Sequence, residues 1–440
     1  MTAAEPITHR QVFCIAWPII LANAAVPILG IVDTAVIGRE GSAAALGGIA
    51  IGALIMNFVY WAFGFLRMGT TGIAAQAVGA RDSIELAATV GRAALIAGGV
   101  GLTLMVLQMP LSFLIFHFFQ GSSEVEDAAR TYFAIRIWGA PAALFGFAAL
   151  GWFIGIKHSG YVLALQLLLN GLNAALDVWF VMGLNMGVAG VAYGTVIAEW
   201  TMALGAALLI LREFKKRGLK IEIDRLRDAA PMLKMVAINR DIFIRTLALL
   251  GGFVLFNWES ARMGDVPLAA NYILLQFISF GAFFLDGFAF AVEALVGDAV
   301  GAKNAKRLAE AVRKSTEWAL GTAVLLASFT WLAGPFAIDA LTTVPEVRTA
   351  AHSFLIFAAV YPLIGVWPFQ LDGIFIGATR GPDMRNAMLM SFGIFVVAWA
   401  VLTPPFGNVG LWCAFMIFLS ARAVTLGLRY PTLAREAAAP

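Results

Sequence analysis

Long apolar runs of roughly twenty to thirty residues recur along the chain, separated by short polar breaks. A helix rises about 1.5 Å per residue and the hydrocarbon layer is about 30 Å thick, so about 20 apolar residues suffice to cross it. Division at charged and Gly/Pro-rich breaks predicts twelve such spans, near 11–38, 46–70, 87–117, 128–156, 159–183, 187–211, 236–264, 268–297, 307–333, 348–378, 384–403 and 408–430. The only long polar interruption lies between the sixth and seventh, where Arg212, Lys215, Lys216, Arg217, Lys220, Arg225, Arg227 and Lys234 collect. The pattern predicts an all-α membrane protein of twelve transmembrane helices, with a first lobe over 1–212, a cytoplasmic linker over 213–234 and a second lobe over 235–440.

The two halves repeat. Ala77-Val78-Gly79-Ala80 recurs as Ala299-Val300-Gly301-Ala302, and the glycine pair Gly151 and Gly155 as Gly373 and Gly377, each with an offset of 222 residues. Six spans per repeat is an even number, which makes the halves parallel and relates them by an axis along the membrane normal. The result is a pair of pseudo-symmetric six-helix lobes.

Composition agrees with the pattern. Hydrophobic residues make up 61% of the 440 and charged residues only 13%, and the mean hydropathy is +0.85. A soluble domain carries about 25% charged residues, so a soluble enzyme, a disordered chain and a collagen are excluded. A net charge of +3, from 30 basic and 27 acidic residues, is too even for a nucleic-acid partner. Cys14 and Cys413 lie in apolar stretches near opposite ends, which supports neither a disulfide framework nor a zinc site. The first apolar stretch lacks a small-residue cleavage signature and is expected to be a retained helix.

Placing the N-terminus inside assigns 24 Lys and Arg to inner segments and their flanks. Arg39, Arg130, Arg262 and Arg348 then fall outside, and Arg67 and Arg136 within spans. The positive-inside rule thus predicts that both termini are cytoplasmic.

Acids inside a bilayer are costly and usually face a bundle interior or a watery cavity. Asp33 precedes Gly38 by five residues and Asp177 precedes Gly183 by six, on helices running the same way. Both therefore sit roughly 8 to 9 Å below the outer boundary. Asn173 and Asn170 lie four and seven residues before Asp177, forming a polar stripe on one helical face, and Thr195 reaches a similar height from the opposite direction. Two carboxylates, a carboxamide and a hydroxyl suit a cation that must be bound and released. The ion is either a proton, since two close carboxylates cannot both ionise easily, or Na⁺ held at Asp33, Asn173, Asp177 and Thr195. The plainer reading has Asp33 and Asp177 bonding to neighbouring helices or reaching the headgroups.

In the second half, Glu259 matches Asp33, and Asp286 and Glu293 are two helical turns apart on one face, where they line a cavity or pair with bases such as Arg262. Asp372 lies nearer the cytoplasmic end, as a gate, a cap or a substrate contact, and Glu199 is a further intramembrane acid. Arg67 and Arg136 either neutralise a buried acid or snorkel to the boundary. Pro27, six residues before Asp33, is placed to bend the first helix and so couple charge state to shape.

These residues resemble the multidrug and toxic compound extrusion (MATE) family, in its DNA-damage-inducible F (DinF) branch. The resemblance is carried by Gly30 to Gly38 (GIVDTAVIG), Arg67 to Ala80 (RMGTTGIAAQAVGA), Asp286 to Glu293 (DGFAFAVE) and Leu371 to Arg380 (LDGIFIGATR), and covers nearly the whole chain. It implies a V-shaped pair of six-helix lobes alternating between inward-open and outward-open forms. Such a protein exports amphipathic, often cationic compounds against an inward flow of H⁺ or Na⁺. Carried over by residue, the family's first-lobe cation site falls on Asp33, Asn173, Asp177 and Thr195, whereas a second-lobe cation site is not assigned to Glu259, Asp286, Glu293 or Asp372. The expected setting is a bacterial cytoplasmic (inner) membrane, as a monomer among lipids, with no cofactor beyond the coupling ion.

The alternative function is a flippase for lipids or lipid-linked oligosaccharides, which needs a cationic central cavity where these spans are dominated by acids. A major-facilitator transporter is disfavoured because Gly79 to Asp82 is only a fragment of its loop motif. An intramembrane enzyme or ATP-driven pump lacks a His-Glu-x-x-His, a Walker A loop and a Ser/His pair.

Overall fold

The computed structural model describes residues 6–38, 43–117 and 122–438, without the side chains of 26–38, 43–45, 227 and 438. Among them the chain is almost entirely helical, with no strand. The helices are α1 (His9–Gly38), α2 (Ala43–Ala62), α3 (Phe65–Ala80), α4 (Ser83–Val106), α5 (Gln108–His117), α6 (Ser123–Arg136), α7 (Ala140–Gly155) and α8 (Ser159–Asp177). They continue as α9 (Gly187–Arg217), α10 (Ile223–Arg227), α11 (Ala229–Arg262), α12 (Asp265–Gly301), α13 (Ala305–Leu341), α14 (Pro345–Gly377), α15 (Gly381–Gly427) and α16 (Tyr430–Ala438).

Ten helical stretches among the described residues are long and apolar enough to cross a membrane. The last of them contains α15, which bends at Gly407 (φ 56°, ψ −132°) just after Pro404 and Pro405 and so carries the eleventh and twelfth predicted spans. Only glycine adopts that backbone readily. The helix α1 carries the first predicted span.

The second predicted span stops at residue 70, but the helix continues to Ala80. Its polar residues are satisfied locally or by packing. The Thr71 hydroxyl donates to the Arg67 carbonyl at 2.9 Å, and Gln76 Nε2 donates to the Gly377 carbonyl at 3.0 Å and to Thr379 Oγ1 at 3.1 Å.

The 222-residue repeat is written into the backbone. Arg81 and Lys303 are both left-handed (φ 57° and 49°), as are Lys157 and Thr379 (φ 63° and 55°). Asp82 and Asn304 follow as equivalent N-caps, accepting the Glu85 amide at 2.9 Å and the Arg307 amide at 3.0 Å. Close approaches repeat too: a Cβ on Gly151 would strike the Arg67 carbonyl, and one on Gly373 the Ala289 carbonyl.

The chain groups into two compact units. One comprises 21–74 and 82–235, and the other 1–20, 75–81 and 236–440. In the second unit the core is aromatic, with Phe256 packed edge-on against Trp412 at 4.9 Å and tilted against Phe415 at 5.1 Å. The core of the first centres on Met56, Tyr60, Phe133 and Val191.

Within the second unit, residues 75–80 of α3 cross α12 through reciprocal contacts. A Cβ on Gly79 would overlap the Asp298 carbonyl, and one on Gly301 the Gln76 carbonyl, each pair being the other's image under the repeat. Small residues let membrane helices approach closely. The double variant Gly79→Val with Gly301→Val is therefore expected to lose about 1–3 kcal/mol per site through overpacking. The thermal midpoint of the detergent-solubilised protein measures this, and an unchanged midpoint would contradict so close a crossing.

Candidate functional site

The polar stripe on α8 forms as its spacing predicts. Asn173 and Asp177 share a face four residues apart and are both buried. Asn173 Nδ2 donates to Asp177 Oδ2 at 2.8 Å and to Thr195 Oγ1 on α9 at 3.3 Å. The Thr195 hydroxyl donates in turn to the Val191 carbonyl one turn back, at 2.9 Å, which leaves its oxygen aimed as an acceptor. Asn170 is half-buried, and its amide nitrogen is buried without a hydrogen-bond partner among the described residues. Three oxygen-bearing side chains thus meet between two helices, a donor set suited to a proton or a hard monovalent cation. Asp33 and Pro27 lie on the continuous helix α1, and their side chains are outside the described residues.

Two local features that the sequence reading missed shape this site. A Cβ at Gly194 would overlap Asp177 Oδ1, so a glycine there lets the carboxylate tuck against α9. Gly187, Gly190 and Gly194 form a small-residue face that is legible in retrospect from its spacing. Directly after Asp177 the backbone forms a π-helical turn, Val178–Gly183. Such turns are uncommon and concentrate at functional sites.

Arg136 pairs with Glu199 at 2.8 Å, both side chains being buried, and its guanidinium lies 5.6 Å from the centre of the Tyr60 ring. The choice the sequence left open for Arg136 is thus decided: it neutralises a buried acid. Gly139 makes the room, since a Cβ there would collide with Glu199 Oε2. Arg67 is half-buried at the start of α3.

The second-half acids divide. Glu259 is paired with Arg262 at 3.0 Å, and Arg262 also covers the Trp258 ring at 4.9 Å, so this acid has the paired, boundary role. Glu293 is buried and Asp286 half-buried on α12, and Gly377 packs against the Glu293 carbonyl. Asp372 is neither a helix cap nor isolated, because it sits between Arg245 of α11 and Arg422 of α15. This corrects the view that Arg67 and Arg136 are the only bases well inside the spans: Arg92, Arg245 and Arg422 are buried as well. Each lies within a predicted span, although the positive-inside assignment places it with the inner flanks. The first-half polar set has no copy under the 222-residue offset, which carries Asn173 to Phe395 and Asp177 to Trp399.

The MatE family profile matches residues 18–179 and 242–402, one copy in each half. The chain is 39% identical over 419 residues to DNA damage-inducible protein F of Escherichia coli K12, covering 95% of this chain and 91% of that one. It is 26% identical over 438 residues to the probable multidrug resistance protein NorM of Acinetobacter baylyi, covering 96% and 95%. Its fold matches a solved MOP superfamily transporter from Pyrococcus furiosus with a TM-score of 0.88 at 18% identity, over 98% of this chain and 97% of that one. Two helical halves that repeat at a fixed offset, a profile match in each and 39% identity to DNA damage-inducible protein F over nearly the whole chain place the chain in the MatE family of membrane transporters.

Proposed function

We propose that the protein is a cation-coupled antiporter that exports amphipathic, often cationic small molecules across a bacterial inner membrane, with both termini in the cytoplasm. The observation that carries this reading is the buried Asp177 carboxylate, hydrogen-bonded to Asn173, whose amide also donates to the Thr195 oxygen. A carboxylate inside a bilayer is retained where its charge is used. In this reading H⁺ or Na⁺ binding at Asp177, together with Asp33 of α1, neutralises the site and favours one packing of α1 over another. Export follows because cation and substrate prefer different states of the same protein. Pro27 supplies the bend through which charge state alters helix shape.

A second reading, translocation of lipids or lipid-linked oligosaccharides, gains one observation, the buried pair Arg245 and Arg422. Proteoliposomes with separately imposed pH and sodium gradients test the two together. One of the gradients is expected to drive uphill efflux of a cationic dye. If neither does so, and a labelled lipid instead crosses faster, the antiporter reading gives way to the flippase.

A further inference from the structure

We propose that Arg245 and Arg422 form a binding site for an oxyanion, a carboxylate or a phosphate group, in a part of the protein that the cation reading does not use. A single oxygen, Asp372 Oδ2, accepts from Nη2 of both arginines, at 2.9 Å from Arg422. Neither guanidinium therefore makes the bidentate, two-oxygen pair that its fork is shaped for. Nε of Arg245 and Nε of Arg422 are both buried without a hydrogen-bond partner among the described residues, and both side chains are more than nine-tenths buried. The two guanidiniums share one carboxylate oxygen in a low-dielectric interior, where an incompletely paired charge is costly. The Phe418 ring, 5.8 Å from the Arg422 guanidinium, softens this cost without neutralising it. Asp286 and Arg422 both act electrostatically on the neighbouring Tyr361.

The same helices carry a second arginine cluster that reaches the exposed surface. One turn nearer the start of α11, Asp241 Oδ1 accepts from Arg385 Nη1 at 2.8 Å and from Arg240 Nη2 at 3.1 Å. The Arg240 side chain is 61% exposed. Gly381 lets the start of α15 lie against this cluster, its absent Cβ falling 3.1 Å from Asp241 Cβ. Four guanidiniums thus lie on these helices, against the two carboxylates of Asp241 and Asp372. An oxyanion at the buried pair supplies acceptors for the two idle Nε–H groups, and Asp372 is its built-in competitor.

The test titrates the full-length, detergent-solubilised protein with sodium phosphate, at ionic strength held constant with sodium chloride, and follows the thermal midpoint. A parallel arm uses short-chain phosphatidylglycerol with phosphatidylcholine as its control. Saturable stabilisation is expected in at least one arm. Stabilisation by phosphate identifies a free oxyanion, and stabilisation by phosphatidylglycerol alone identifies a lipid headgroup. Arg245→Gln and Arg422→Gln should weaken the apparent affinity about tenfold or more, and Asp372→Asn should strengthen it about tenfold by removing the competitor. Should Asp372→Asn fail to fold, Asp372→Ala is assayed with formate, which is expected to raise its midpoint where chloride does not. Absence of saturable stabilisation in both arms, unaltered affinity in both arginine variants, or no gain from removing the Asp372 charge by either route would overturn the proposal.

Discussion

Asp177→Asn is expected to lower gradient-driven export by about 100-fold or more while leaving the protein folded. The substitution keeps the shape of the side chain and an oxygen able to accept from Asn173 Nδ2, so the 2.8 Å contact survives. What is lost is the charge, and with it any preference of the site for a cation. A hundredfold loss corresponds to about 2.7 kcal/mol of coupling, a plausible size for a single buried carboxylate whose ionised form is what the cation recognises. Folding should suffer little, because a neutral amide of the same shape is easier to bury than an ionised carboxylate. The measurement is dye efflux in the same proteoliposomes, together with the thermal midpoint. Wild-type flux in this variant would remove Asp177 from the coupling mechanism, whereas a collapsed midpoint would reassign it to structure.

Breaking the Arg136–Glu199 pair from one side should be the most damaging change to stability. Each of Arg136→Met and Glu199→Gln is expected to cost about 3–5 kcal/mol, because either leaves the partner charge buried and uncompensated. The two side chains meet at 2.8 Å with almost no exposure. Replacing both at once should cost far less than the sum, since no orphan charge remains. Thermal unfolding of the two single variants and the double variant closes this cycle. Additive losses would mean that the residues contribute independently and that the ion pair has no energetic standing of its own.

Much of the architecture was legible because hydrocarbon thickness imposes a length on each apolar run, and the Gly79/Gly301 and Gly151/Gly373 matches exposed the repeat. The Asn173–Asp177–Thr195 set was legible for a related reason: helical periodicity fixes which face a residue takes, and counting from the span end fixes its depth. Partners across helices were not. That Asp372 meets Arg245 and Arg422 depends on which of α11, α14 and α15 are neighbours, and neither periodicity nor depth carries that information. Nor did hydropathy reveal the close approach at Gly194, since a glycine in an apolar run looks the same whether or not a carboxylate rests on it. The extension of α3 to Ala80 was hidden by polar residues that satisfy themselves within the bundle.

The reciprocal contact of Gly79 and Gly301 carries an evolutionary consequence. A bulkier residue arriving at either position meets the backbone of the opposite repeat, so relief must come from a change some 222 residues away. Drift at the two positions should accordingly be locked in step, and a duplicated gene that once encoded two identical halves would keep this pair alike long after its Asn-Asp-Thr and arginine-rich regions had diverged.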